Sequence, residues 1–265
     1  MGHSRPQVVA HRGATAVKAE HTLGAYVAAL DEGAEAFECD VRLTADGHLV
    51  CVHDRNLRRT AHTDRIVSSM ELADLQDLDF ASWKTPWAEL DDEAPDSDPE
   101  LGKVLTLRRL LETAADYPRR VELAIETKHP TRYAGLVERR LVGLLDEFGW
   151  AGEDSPARVM SFSWVALRRI RRWAPTLDLV LLMDTRNHWY RSLPFTESDW
   201  IAGPGIELVR EHPDLIQKIA QTGRRVHCWT VNTHDDVDRC LELGVEALIT
   251  DRPGEVVTYL TKSYH

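Results

Sequence analysis

At 265 residues, 43% of them hydrophobic, the chain holds enough apolar material for one large α/β domain with a buried core. Its 43 acidic residues outweigh 32 basic ones, and the net charge of −11 disfavours nonspecific attachment to nucleic acid or to an anionic membrane. No apolar run approaches the roughly 20 residues that span a bilayer, and the opening Met1–Gln7 lacks the long apolar segment of a secretory signal, so the expected setting is the cytoplasm.

The first strand, Val8-Val9-Ala10, ends in the corner His11-Arg12-Gly13. Thr22 can then cap a helix over Leu23–Glu32 that Gly33 stops. The second strand, residues 36–41, carries Glu38 and Asp40 at i, i+2. Side chains alternate across a strand, so both acids project from one face and Cys39 from the other. Neighbouring acids repel, and burying them unpaired is costly; a bound divalent cation removes both problems. Asp46-Gly47 between two alternating runs signals a hairpin. A two-residue turn there pairs Ala45 with His48 and Asp40 with His53, which sets His53 beside the acids.

Residues 55–79 read as a loop and a short helix, Glu71–Leu78, with Ser68 and Glu71 in capping-box spacing. The stretch at about 80–104 is acidic and aperiodic, with Asp91-Asp92-Glu93 and Asp96-Ser97-Asp98, and reads as an inserted surface excursion or lid. Regular alternation follows. A helix at Leu107–Ala115 leads to the strand Val121–Glu126, a helix at Tyr133–Phe148 to Arg158–Phe162, and a helix at Trp164–Trp173 to Leu177–Met183. A further strand is expected at Ile206–Val209, then a helix at Pro213–Thr222, a strand at Arg225–Val231, a helix at Asp235–Leu243, a strand at Ala247–Thr250 and a last helix from Pro253. Arg168–Arg172 puts four arginines on one helix, expected as a solvated face with carboxylate partners. Cys39, Cys51, Cys228 and Cys240 have no CxxC spacing and read as buried reduced thiols.

Strands alternating with helices imply parallel strands joined by crossovers. Setting aside the strand that the hairpin turns antiparallel leaves eight parallel strands, the inventory of a (β/α)8 TIM barrel as one domain over 1–265, with a β-hairpin extension after strand 2. A doubly wound open sheet is the alternative, but no GxGxxG or GxxxxGK[ST] supports it. In a barrel, His11-Arg12, Glu38/Asp40, Glu126/Lys128, Phe162, Trp229/Asn232 and Thr250/Asp251 all fall at strand C-termini, where barrel active sites are built.

The residues themselves suggest roles. Glu38, Asp40 and Glu126 are hard oxygen donors suited to Mg2+ or Ca2+ rather than zinc. Histidine side chains ordinarily titrate near neutrality, so His11 and His53 suit acid–base work. Asp54 either orients His53 or caps the next loop. Arg12 and Lys128 suit phosphate oxygens, and Phe162 and Trp229 either wall a substrate pocket or pack within the barrel mouth.

The ordered set His11–Gly13, Glu38–Asp40, His53-Asp54, Glu126–Lys128, Trp229–Asn232 and Thr250–Pro253 resembles the glycerophosphodiester phosphodiesterase family over nearly the whole chain. The resemblance implies a metal-dependent barrel enzyme that hydrolyses glycerophosphodiesters to glycerol 3-phosphate and an alcohol. It implies Glu38, Asp40 and Glu126 as Mg2+ or Ca2+ ligands, His11 and His53 as acid and base, and Arg12, Lys128, Glu20, Phe162 and Trp229 as substrate contacts. The expected partner is thus a small diester, with neither nucleic acid nor stable membrane association. Two alternatives are a phospholipase D-like enzyme on lysophospholipids and a non-catalytic barrel that binds a phosphometabolite. One motif departs: where the family has Pro-Glu-Asn-Thr this chain has Ala19-Glu20-His21-Thr22, which leaves the loop shape open and offers His21 as an added substrate contact.

Overall fold

The computed structural model describes residues 5–84, 99–129 and 134–263. Its strands are β1 (Gln7–His11), β2 (Ala36–Leu43), β3 (Leu49–Cys51), β4 (Asn56–Leu57), β5 (Thr63–Ile66), β6 (Glu122–Thr127), β7 (Ala157–Ser161), β8 (Asp178–Met183), β9 (Ile201–Pro204), β10 (His227–Trp229) and β11 (Ala247–Thr250). Eight of them run parallel in the order β10-β11-β1-β2-β6-β7-β8-β9. The last seam, between β9 and β10, is carried by the parallel bridges Ala202–Val226 and Gly205–Trp229, which close the sheet into a barrel.

Each strand's period-two alternation sorts its residues into two layers. Val9, Ala36, Ala124, Met160, Val180 and Ile249 pack with one another inside the barrel. Val8, Ala10, Phe37, Cys39 and Val159 face outward and pack in the layer shared with the helices. Below the apolar interior, Arg158 donates to Gln7 Oε1 (2.8 Å) and Glu122 Oε2 (3.1 Å), a paired network across the N-terminal end of the strands. Above it, the same inward rows continue as His11, Glu38 and Asp40. The period that buries alanine and valine therefore delivers charged groups to the other end of the barrel.

The helices are α1 (Leu23–Asp31), α2 (Arg58–Ala61), α3 (Leu72–Gln76), α4 (Leu107–Ala115), α5 (Leu136–Glu147), α6 (Trp164–Trp173), α7 (Arg186–Ser192), α8 (Ile206–Glu211), α9 (Pro213–Gln221), α10 (His234–Glu242) and α11 (Pro253–Ser263). α4 shows why they form where they do: Leu107, Leu110, Leu111 and Ala114 make one buried stripe, and Thr106 accepts from Arg109 N at the start. Thr22 caps α1 in the same way, as its sequence suggests. No helix among the described residues is long and apolar enough to cross a membrane. The four cysteines are buried and free. Between β2 and β6 the chain makes an excursion with its own small core of Val50, Val52, Leu57, Val67, Met70, Leu75, Phe80 and Val104. The acidic runs 91–93 and 96–98 lie outside the described residues; 3-10 turns at Ser82–Lys84 and Pro99–Gly102 flank them.

Three expectations are corrected. The hairpin pairs Val41 with Cys51 and Leu43 with Leu49, one residue off the expected register. Thr44 N donates to His48 O (2.9 Å) and Gly47 sits at φ +87°, so the loop has three residues instead of two. Asp40 therefore faces Val52, and the expected Asp40–His53 pair does not form. Second, Ile206–Val209 is helical, and the strand lies earlier at Ile201–Pro204. Gly203 and Pro204 resemble strand breakers, yet a Cβ on Gly203 would come within 2.9 Å of the Leu182 and Val180 side chains, so the small residue matches a close approach of strand neighbours. Third, α3 starts at Leu72 without a capping box: its first N–H is taken by both oxygens of Asp46, reaching over from the hairpin tip at 3.2 Å.

Candidate active site

Strand register places the acids. In the parallel ladders His11 pairs with Glu38 and Asp40 with Glu126, so neighbouring inward rows end side by side. Glu38, Asp40 and Glu126 are buried, and each offers an oxygen within 4.8 Å of the others. Two cations reach into the cluster. Arg12 Nε lies 3.0 Å from Asp40 Oδ2, and Lys128 Nζ lies 2.9 Å from Asp40 Oδ1 and 2.7 Å from Glu126 Oε1.

Three carboxylates against two cations leave one negative charge in excess, in a site where burial penalises every charge. Burial and the neighbouring Asp40 carboxylate push Glu126 up to about 8 and Glu38 well above its ordinary range. Asp40 takes the opposite direction. Burial opposes its ionisation, but Lys128 and Arg12 outweigh that and hold its pKa well below the usual value. Asp40 Oδ1, although buried and beside Lys128, accepts no well-directed hydrogen bond among the described residues. Three buried carboxylates, each with an oxygen within 4.8 Å of the others, fit a hard divalent cation such as Mg2+ or Ca2+.

Each histidine is held by its own aspartate. His11 Nδ1 lies 2.7 Å from Asp251 Oδ1, and Asp251 is fixed in turn by Thr15 Oγ1 (2.7 Å) and Asn232 Nδ2 (2.6 Å). That contact puts the Nδ1 proton toward Asp251 and leaves Nε2 facing Glu38, 4.0 Å from its Oε2. His53 Nδ1 lies 2.8 Å from Asp54 Oδ1, while Asp54 Oδ2 accepts from Arg59 Nε at 2.7 Å. Asp54 therefore orients the ring and caps no backbone N–H among the described residues. The His53 carbonyl is gripped by the Arg42 guanidinium at 2.6 and 3.0 Å, which fixes the chain just beyond β3. Burial holds the His53 imidazole below its ordinary value and favours the neutral base.

A cavity of about 490 Å3 opens at this end of the barrel, lined by His11, Arg12, Thr15, Glu20, Trp83, Lys84, Asn232, Asp251 and Arg252. Arg12 bends into it with φ +59°, held by its N–H to the Glu38 carbonyl (3.1 Å). Glu20 lines the cavity with both oxygens occupied, by Arg59 at 2.6 and 2.7 Å and by Arg12 at 3.3 Å. Phe162 meets Trp229 edge-on at 5.5 Å and stacks on His188 at 6.0 Å, and Trp229 donates to Gly203 O. His21 does not contact the cavity. It is 5% exposed, and both ring nitrogens are engaged, with Asp40 and with Tyr26.

Asp251, Asn232, Thr15, Tyr26 and Arg59 shape the site without having been assigned roles from the sequence. Only Asn232 and Asp251 carried a signal, their position at strand ends. On α6, Arg171 pairs with Glu197 and Asp199, and Arg169 with Glu138, the carboxylate partners expected of that face.

Fold and site together define a TIM-barrel hydrolase. A sequence model of the glycerophosphoryl diester phosphodiesterase family matches residues 11–255, and the chain belongs to that family. It is 45% identical over 263 residues to a Mycobacterium tuberculosis protein named "probable glycerophosphodiester phosphodiesterase 1", covering 98% of this chain and 93% of that one. To the Bacillus subtilis glycerophosphodiester phosphodiesterase it is 30% identical, covering 92% and 83%. Among solved structures it is similar to an Oleispira antarctica phosphodiesterase in complex with the product sn-glycerol-3-phosphate, with a TM-score of 0.80, 24% identity and 97% coverage of each chain.

Proposed function

We propose that this protein hydrolyses glycerophosphodiesters to sn-glycerol 3-phosphate and an alcohol, acting in the cytoplasm on small diesters. What supports the reading is the three-carboxylate cluster with Arg12 and Lys128 at its edge, His11 Nε2 4.0 Å from Glu38, and a second aspartate-held imidazole, His53, on the chain just beyond β3. A divalent cation held by Glu38, Asp40 and Glu126 would supply charge stabilisation for the phosphoryl transition state. Arg12 presents a planar fork to two non-bridging oxygens, and Lys128 adds a point charge. Glu20 keeps Arg12 and Arg59 in place at the cavity edge. His11 and His53 divide the proton transfers: one nitrogen takes the proton of the nucleophile while the other gives one to the departing alkoxide. Their aspartates hold the reactive nitrogens toward the substrate and offset the charge that each ring acquires. Phe162 and Trp229 wall the side on which the glycerol or head group rests.

The test is release of glycerol 3-phosphate from glycerophosphocholine and glycerophosphoethanolamine, with chelator and then with Mg2+ or Ca2+ restored. Chelator should abolish release and the cation should restore it. Faster turnover of lysophosphatidylcholine would move the substrate class to lysophospholipids. Binding of a diester with no product under any cation would refute hydrolysis altogether.

A further inference from the structure

Asp40 is buried, and among the described residues it receives one well-directed side-chain hydrogen bond, from His21 Nε2 to Oδ2 at 2.9 Å. Arg12 Nε at 3.0 Å and Lys128 Nζ at 2.9 Å approach as ion pairs without that directionality. The distinction matters because an ion pair tolerates rotation of the carboxylate, whereas a directed N–H to one oxygen fixes its plane. With Oδ2 tied to His21 and beside Arg12, Oδ1, next to Lys128, is the oxygen without a directed hydrogen bond among the described residues.

The imidazole is itself anchored. Its Nδ1 lies 2.9 Å from the Tyr26 hydroxyl, which also reaches the Glu38 carbonyl oxygen at 3.0 Å. Tyr26 is fully buried on α1 and packs edge-on against Phe37 at 4.8 Å between ring centres. One His–Tyr pair therefore touches the side chain of Asp40 and the backbone of Glu38, the two acids of β2. The loop takes on strain to place the ring: His21 has φ +57°, with its N–H on the Arg12 carbonyl at 3.0 Å. A left-handed non-glycine residue costs of order 1–3 kcal/mol.

We propose that His21, seated on Tyr26, is the positioning residue that orients Asp40 for a divalent cation. The proposal rests on the reading of Glu38, Asp40 and Glu126 as a cation site. His21 is buried away from the cavity, so it acts through Asp40 and does not meet the substrate.

The test uses the whole chain titrated calorimetrically with Mg2+ and with Ca2+, comparing wild type, His21→Gln, His21→Asn and Tyr26→Phe. A glutamine amide reaches about as far as Nε2, an asparagine amide only as far as Nδ1, and asparagine tolerates the left-handed backbone. His21→Asn should weaken cation binding about 10- to 100-fold, His21→Gln should stay close to wild type, and Tyr26→Phe should fall between. Melting temperatures in chelator should match for the two His21 variants, which separates orientation of Asp40 from loss of fold. In wild type, nitrogen NMR should show His21 protonated at Nε2 with and without cation. Equal affinities for His21→Asn and wild type, or a bare Nε2, would overturn the proposal while leaving the cation site standing. A wild-type protein that takes up neither cation would overturn both.

Discussion

Glu126 is the group whose titration gives the sharpest test of the site. Burial and Asp40 raise its pKa to about 8 from an ordinary 4.5. A cation ligand must be deprotonated. At pH 7 this carboxyl is about nine-tenths protonated, so uptake of Mg2+ or Ca2+ should release about 0.9 proton from Glu126, in addition to any that the raised Glu38 gives up; the Glu126 share alone should make affinity about tenfold weaker than above pH 9, and about a hundredfold weaker at pH 6. The same raised value makes one contribution to the pH dependence of the cation-free protein's stability. The folded state binds the extra proton between pH 4.5 and 8, so this contribution is complete below 4.5 and lost as pH rises through about 8. The loss is on the order of 5 kcal/mol at most, and added cation should recover part of it at high pH. Calorimetric titration in buffers of differing ionisation enthalpy counts the protons, and melting curves with and without chelator follow the stability. Cation uptake with no proton release at pH 7, and an affinity flat from pH 6 to 8, would refute the reasoning.

Three further outcomes are expected. Glu38→Ala and His53→Ala should each lower glycerol 3-phosphate release by about 100- to 10,000-fold, with circular dichroism spectra matching wild type. Asp251→Asn should cost about 100-fold or more in kcat, because an amide facing Nδ1 no longer fixes the proton that leaves His11 Nε2 facing Glu38; a pH–rate profile and kcat unchanged from wild type would remove Asp251 from the machinery. Gly13→Ala should destabilise the fold by about 3–5 kcal/mol, roughly 10 °C in Tm. Gly13 sits at φ +95°, and a Cβ there would fall 2.6 Å from Ala25.

What the sequence conveyed, and what it withheld, follows from the range of the forces involved. α4 and α6 have the bounds read from the sequence, because Thr106 and Ser163 cap them and the apolar stripe repeats every three to four residues. The eight-stranded barrel follows from strict strand–helix alternation, and barrel closure gathers Glu38, Asp40 and Glu126 from strand ends far apart in the chain. Failures fell where one residue decides. The hairpin register turns on a three-residue loop, and β9 contains Gly203, which looks like a breaker but sits close against Leu182 and Val180. Asp251 is 240 residues from the imidazole it holds, and nothing local to either marks the pair. The α3 start differs from the expected one because its capping carboxylate, Asp46, comes from 26 residues upstream.

The small core under the excursion gives the two histidines different foundations. His11 and Asp251 extend from adjacent barrel strands, β1 and β11, and share the rigidity of the main hydrophobic layer. His53, Asp54 and Arg59 ride on the side assembly around Leu57, Met70 and Leu75. The two imidazoles thus belong to separately packed clusters, His11 to the barrel layer and His53 to the small core under the excursion. Local opening of the minor cluster can therefore move His53 without disturbing the barrel strands that carry His11 and Asp251.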